Sequence, residues 1–158
     1  MSSLMFSSSG IRGIIGDSLS PEVILNVAKS YGQLIGKGPV VLGGDTRVSH
    51  DMVINLVCSG LTAVGTDVIF IGKVTTPTVQ QMIRHHKAQG GIVVTASHNP
   101  IQWNGIKLMN NSGSFLSSEQ FKQFKSFYDA NNHTLAEWTD LGTITQDTQA
   151  TETHVNLI

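Results

Sequence analysis

The residues of this chain best suited to chemistry lie in four short stretches. "TASHNP", residues 95–100, sets Ser97, His98 and Asn99 directly behind an apolar run, Ile92-Val93-Val94. Asn-Pro is a turn dipeptide, and proline drives the residue before it out of helical geometry. The run therefore cannot pass straight into a helix, and Ser97 and His98 sit on a protruding bend. A hydroxyl there can act as a nucleophile and an imidazole can carry a proton or donate a hydrogen bond. Lys107, further on in "NGIK", can serve as a fixed cation for a phosphoryl group. The plainer reading of the bend is a polar turn whose Ser97 and Asn99 bond their own backbone.

The other three stretches share that double reading. "SSSGIRGIIG", residues 7–16, sets Gly10 and Gly13 around Arg12 in a loop before the first helix. Glycines let the backbone turn sharply, and a guanidinium offers a fork matched to phosphate oxygens. The alternative is a surface turn with Arg12 in solvent. "GGDTRVS", residues 43–49, puts Asp45 and Arg47 behind two glycines. Either a ligand contact or an Asp–Arg pair bracing the loop fits that spacing. "TTPT", residues 75–78, adds hydroxyls.

Several site classes are excluded. No G-x-G-x-x-G dinucleotide fingerprint and no G-x-x-x-x-G-K-[ST] phosphate loop occurs. A Ser-His-Asp hydrolase lacks its G-x-S-x-G elbow, and adjacent Ser97 and His98 are expected to point apart. His85 and His86 stand about 100° apart on a helix, which makes them a poor metal pair and surface residues. One cysteine, Cys58, permits neither an internal disulfide nor a Cys-based zinc cage, and its apolar surroundings mark it as a small buried hydrophobe.

Positioning elements can be read from periodicity. Ser20-Pro21 reads as a helix start, and Val23, Ile24, Val27, Tyr31, Leu34 and Ile35 recur at helical spacing until Gly36. "PVVLGG", "DVIFIG" and "GGIVVTA" read as buried strands, and "GIKLM" as a further one. Between them, "DMVINLVCSGLTAVG" and "TPTVQQMIRHHKAQ" read as helices. "SSEQFKQFKSFYDA" is another, with Phe121, Phe124 and Phe127/Tyr128 on one face as core. Alternating strands and helices imply an α/β fold with a parallel sheet, and ligands bind beyond the carboxyl ends of such strands. From Asn131 the chain is polar and weakly patterned, and it stops at Ile158 within a starting helix, an end that looks cut.

At 158 residues the chain fits one domain. Charged residues make up only 13%, roughly half the usual ~25%, so Ser, Thr, Asn and Gln must supply much of the polar surface. A formal net charge of −1 argues against nucleic acid as a partner. No apolar stretch nears the ~20 residues a membrane span needs, and no secretory leader opens the chain, so a cytoplasmic location is expected.

"SSSGIRG", "GGDTRVS", "TTPT" and "TASHNPIQWNGIK", in that order, resemble the first domain of the alpha-D-phosphohexomutases. These are the family of phosphoglucomutase, phosphomannomutase and phosphoglucosamine mutase. The resemblance covers nearly the whole chain, and "TASHNP" followed by "NGIK" is its most specific part. Phe6-Ser7-Ser8-Ser9 departs from the commoner opening, Gly-Thr and then Asp or Ser.

The resemblance implies a three-layer α/β domain, its mostly parallel, mixed sheet flanked by helices. Residues 1–150 would form this domain and residues 151–158 the start of a linker helix. It implies interconversion of hexose 1-phosphate and hexose 6-phosphate through a phosphoserine at Ser97 and a 1,6-bisphosphate intermediate. His98, Lys107 and Arg12 would sit at the transfer site, with Gly10, Gly13, Asn99, Asp45 and Arg47 supporting the loops. It implies Mg2+ held by the phosphoserine oxygen of Ser97 and by carboxylates of a "DGDGD" loop, which this chain lacks, and an activator of the glucose 1,6-bisphosphate type. Domains II–IV would be missing partners from the same polypeptide, leaving this piece with little or no turnover alone. The competing expectation is a non-catalytic sugar-phosphate-binding module in which Ser97 is never phosphorylated.

Overall fold

The apolar runs form the middle of one seven-stranded sheet in a computed structural model that describes residues 3–158. In chain order the elements are β1 (Met5–Ser7), β2 (Gly10–Ile14), α1 (Pro21–Ile35), β3 (Val40–Gly44), α2 (His50–Ala63), β4 (Val68–Lys73) and α3 (Thr76–His85). There follow β5 (Gly90–Val94), β6 (Trp103–Asn110), α4 (Ser118–Ala130), a 3-10 turn (Trp138–Asp140), β7 (Ile144–Gln146) and α5 (Ala150–Leu157).

The strand order is β1-β2-β6-β5-β3-β4-β7. Helical crossovers make β3 parallel to both β4 and β5, and β7 joins β4 in parallel. From β5 the chain returns through the loop of residues 95–102 with no intervening crossover helix, so β6 pairs antiparallel. β2 and β1 extend that antiparallel half. The sheet is thus mixed.

Strands β3 and β5 are buried along their whole length, as unbroken apolar runs require. Their side chains alternate between two cores. Leu42, Ile92 and Val94 face Tyr31 of α1, Val57 of α2 and Phe124 of α4. Val41, Val93 and Met109 face Val79 and Met82 of α3 and Ala150 of α5. Helices therefore cover both faces, which makes three layers. Each fully buried Val, Leu or Ile contributes about 1.5–3 kcal/mol.

Local signals account for the helix ends. Ser20 Oγ accepts from the Val23 amide at 3.2 Å, and Gly36 ends α1 with φ +86°. Ser117 and Gln120 form a reciprocal capping box on α4.

Three expectations are corrected. "SSSGIRGIIG" is not a loop: Gly10–Ile14 is β2, wedged between β1 and β6. The third helix stops at His85 rather than running through Gln89, because Lys87 adopts φ +52° and turns the chain toward β5. The weakly patterned tail beyond Asn131 carries an unexpected strand, β7, whereas the helix expected at the end of the chain is present as α5. No helix among the described residues is long and apolar enough to cross a membrane.

Candidate active site

The antiparallel half of the sheet assembles the site. Gly10 pairs with Lys107 and Arg12 with Gly105 across β2 and β6, so Arg12 and Lys107 are diagonal neighbours on one face. Lys107 also pairs with Val93 of β5, which fixes that face as the side of α3 and α5. Gly10 makes the pairing possible. Its φ is +136°, and a Cβ there would overlap the Ile106 carbonyl oxygen. Gly13 serves nearby, where a Cβ would come 2.6 Å from Ser18 Oγ, which accepts from the Ile14 amide at 3.0 Å.

A cleft of about 280 Å³ opens over this corner, lined by Ser9, Gly10, Arg12, Ser97, His98 and Lys107 among others. Arg12, Ser97 and His98 are exposed and Lys107 is half-buried, its Nζ 5.9 Å from the Phe115 ring centroid. Four of the residues singled out for chemistry are therefore in one place. Ser7 and Ser9 also line the cleft, with their hydroxyls 2.9 Å apart. The departure Phe6-Ser7-Ser8-Ser9 was their only mark in the sequence.

Ser97 has φ +57°, a left-handed conformation costing a non-glycine residue about 1–2 kcal/mol. This bend overturns one expectation. The side chains of Ser97 and His98 do not point apart: Ser97 Oγ lies 3.1 Å from His98 Nδ1. Left-handed backbone at the first residue swings its side chain toward the second. No carboxylate among the described residues orients His98 in turn, so the pair is not a triad.

The loop is tied down by Asn99 from within and by Arg47 from the turn after β3. Asn99 Nδ2 donates to the Ala96 carbonyl at 2.8 Å, and the Asn99 amide donates to the same oxygen at 3.1 Å. Arg47 makes the bracing contacts. Its Nη2 donates to the carbonyls of Ser97 and Asn99, both at 2.8 Å. Its Nη1 donates to those of Pro100 and Trp103, at 2.8 and 3.0 Å. Its Nε donates to Asp45 Oδ2 at 3.3 Å. Arg47 is a brace.

Asp45 also accepts from Thr95 Oγ1 at 2.6 Å, and Thr95 Oγ1 accepts from the Ser97 amide at 3.0 Å. Sequence reasoning missed Thr95, whose partner lies 50 positions away. Among the described residues, no three His, Cys, Asp or Glu side chains are placed to hold a metal, and Asp45 is already engaged. The residues present do not by themselves form a magnesium cage.

His86, expected as a surface residue, is tied to the segment that follows β7. It is half-buried, with Nε2 2.8 Å from Asp147 Oδ2. Burial would raise the Asp147 pKa, but bonds from the Gln149 amide and His86, with the charges of His86 and His85, hold it below the ordinary carboxylate value.

Residues 3–134 match the model of the family described as "Phosphoglucomutase/phosphomannomutase, alpha/beta/alpha domain I". A "Probable phosphoglucosamine mutase" of Thermococcus kodakarensis is 41% identical over 139 residues, covering 88% of this chain and 31% of that protein. One of Methanopyrus kandleri is 39% identical over 153 residues, covering 97% of this chain and 34% of the relative. The chain thus spans about a third of the length of these curated relatives. Among solved structures, a "putative phosphomannomutase" of Thermus thermophilus superposes with a TM-score of 0.80 at 28% identity, covering 94% of this chain and 34% of that one.

Proposed function

Because the chain belongs to the phosphoglucomutase/phosphomannomutase family through its α/β/α domain I, we propose that it is the phosphoserine domain of a phosphohexomutase. Ser97 Oγ carries a phosphoryl group and lends it to a hexose 1- or 6-phosphate. The resulting 1,6-bisphosphate turns around and returns its other phosphoryl group to Ser97.

The reading is carried by one observation: Ser97 Oγ lies 3.1 Å from His98 Nδ1 in a cleft that Arg12 and Lys107 also line. In the forward half-reaction the bond between phosphorus and Ser97 Oγ breaks as a sugar hydroxyl oxygen bonds to phosphorus. His98 can supply the proton that Ser97 Oγ takes up, and the proton the sugar hydroxyl releases passes to solvent, from which His98 is reprotonated. Arg12 and Lys107 offset the negative charge of the transferring group, and phosphoryl transfer depends mainly on such positioning and charge stabilisation. A phosphorylated Ser97 would offer one oxygen to magnesium, whose carboxylate ligands would lie outside this chain. Domains II–IV would supply those ligands and the sugar contacts, so the isolated chain has little or no turnover.

The test is conversion of hexose 1-phosphate to hexose 6-phosphate by the full-length polypeptide, with a hexose 1,6-bisphosphate as activator. Replacement Ser97→Ala abolishes turnover on this account while leaving the fold intact. Undiminished turnover in Ser97→Ala contradicts it. Binding of hexose phosphate with no turnover in the unaltered protein favours a sugar-phosphate-binding module instead.

A further inference from the structure

We propose that Arg47, Asp45 and Thr95 form a positioning clamp that holds Ser97 in its left-handed conformation and thereby brings Ser97 Oγ to His98. The inference rests on Ser97 as the phosphoryl carrier and adds how its geometry is held.

A serine at φ +57° persists only where its surroundings over-determine it. Here the residue is held from both sides. Its amide donates to Thr95 Oγ1, which in turn donates to Asp45. Its carbonyl accepts from Arg47 Nη2, while Arg47 Nε returns to Asp45 and closes the circuit.

A guanidinium has five N–H donors. In Arg47 Nε makes one bond and Nη1 and Nη2 two each, to four backbone carbonyls and a carboxylate. No donor is left for a phosphate, and the side chain is only 11% exposed. Arg47 therefore acts through the loop and not on the substrate. Its fork is the working feature, because lysine offers three donors from a single point and cannot span carbonyls from Ser97 to Trp103.

Two comparisons test the clamp. In this chain, Arg47→Lys and Thr95→Val accelerate amide hydrogen exchange at Ser97 and Asn99 roughly tenfold or more, with β3 and β5 unchanged. Thr95→Ser, which keeps the bridging oxygen, stays close to the unaltered chain. In the full-length polypeptide, Arg47→Lys and Thr95→Val lower kcat on the order of 100-fold, as expected for a misplaced reacting atom, with KM little changed. Thr95→Ser restores kcat.

Unchanged exchange in Arg47→Lys overturns the clamp. Faster exchange with undiminished kcat overturns its positioning role, and so does a loss confined to KM, which would mark Arg47 as a substrate ligand. If the unaltered polypeptide lacks turnover, the preceding reading fails and the exchange comparison alone decides the clamp.

Discussion

Replacing Gly10 by alanine tests whether the close approach of β2 to β6 builds the cleft. At φ +136° an alanine is strained, which costs about 1–3 kcal/mol. The new methyl would also overlap the Ile106 carbonyl oxygen and stand 2.9 Å from Lys107 Cα. Both are backbone atoms and cannot swing away, so overpacking adds about 1–3 kcal/mol. The sum is roughly 2–6 kcal/mol, with relief available only by moving β2 away from β6. Gly16→Ala is the matched control: Gly16 has φ +78° but nothing within 4 Å of an added Cβ, so it bears the conformational cost alone. Urea denaturation of both variants, with m unchanged, is expected to place Gly10→Ala below Gly16→Ala by about 1–3 kcal/mol. Because Gly10 is the register partner of Lys107, the displacement also separates Arg12 from Lys107 and weakens phosphate binding in the cleft. Equal stabilities for the two variants would refute the argument.

Two further predictions concern groups that are buried or half-buried. His50 is 3% exposed, and desolvation, with the charge of Lys73, outweighs Asp51 and Asp45 to push its pKa below the ordinary 6.5; desolvation and Lys29 do the same to His133. Both bind protons more readily unfolded, so their contribution to stability is complete above pH 6.5 and declines as pH falls below it. Urea midpoints across that range check this, and His50→Gln should flatten the slope. Burial pushes the Cys58 thiol up to about 11, so a thiol reagent should leave it unmodified in the native chain and label it once urea unfolds the protein.

The parallel half of the fold was legible because β3 and β5 are buried apolar runs and α1 carries a Ser-Pro start and a glycine end. Strand β2 was hidden, since Gly10 and Gly13 break the pattern of "GIRGI" and read as turn residues. β7 is three exposed residues, too short to show a period. At the site, Arg12, Ser97, His98 and Lys107 could be named from type and spacing. The meeting of Ser97 with His98 could not, because it depends on a left-handed backbone that serine rarely adopts. Nor could the role of Arg47, whose carbonyl partners lie 50 to 56 positions along the chain, beyond the end of β5.

The central claim is that the Ser97 hydroxyl takes a phosphoryl group and hands it back. Phosphosite mapping of the full-length polypeptide after incubation with a hexose 1,6-bisphosphate tests it most directly. The account predicts one phosphoryl group on Ser97, lost on addition of excess hexose monophosphate and absent from Ser97→Ala. A label on another residue, or an unlabelled Ser97 in a polypeptide that turns over substrate, would contradict it.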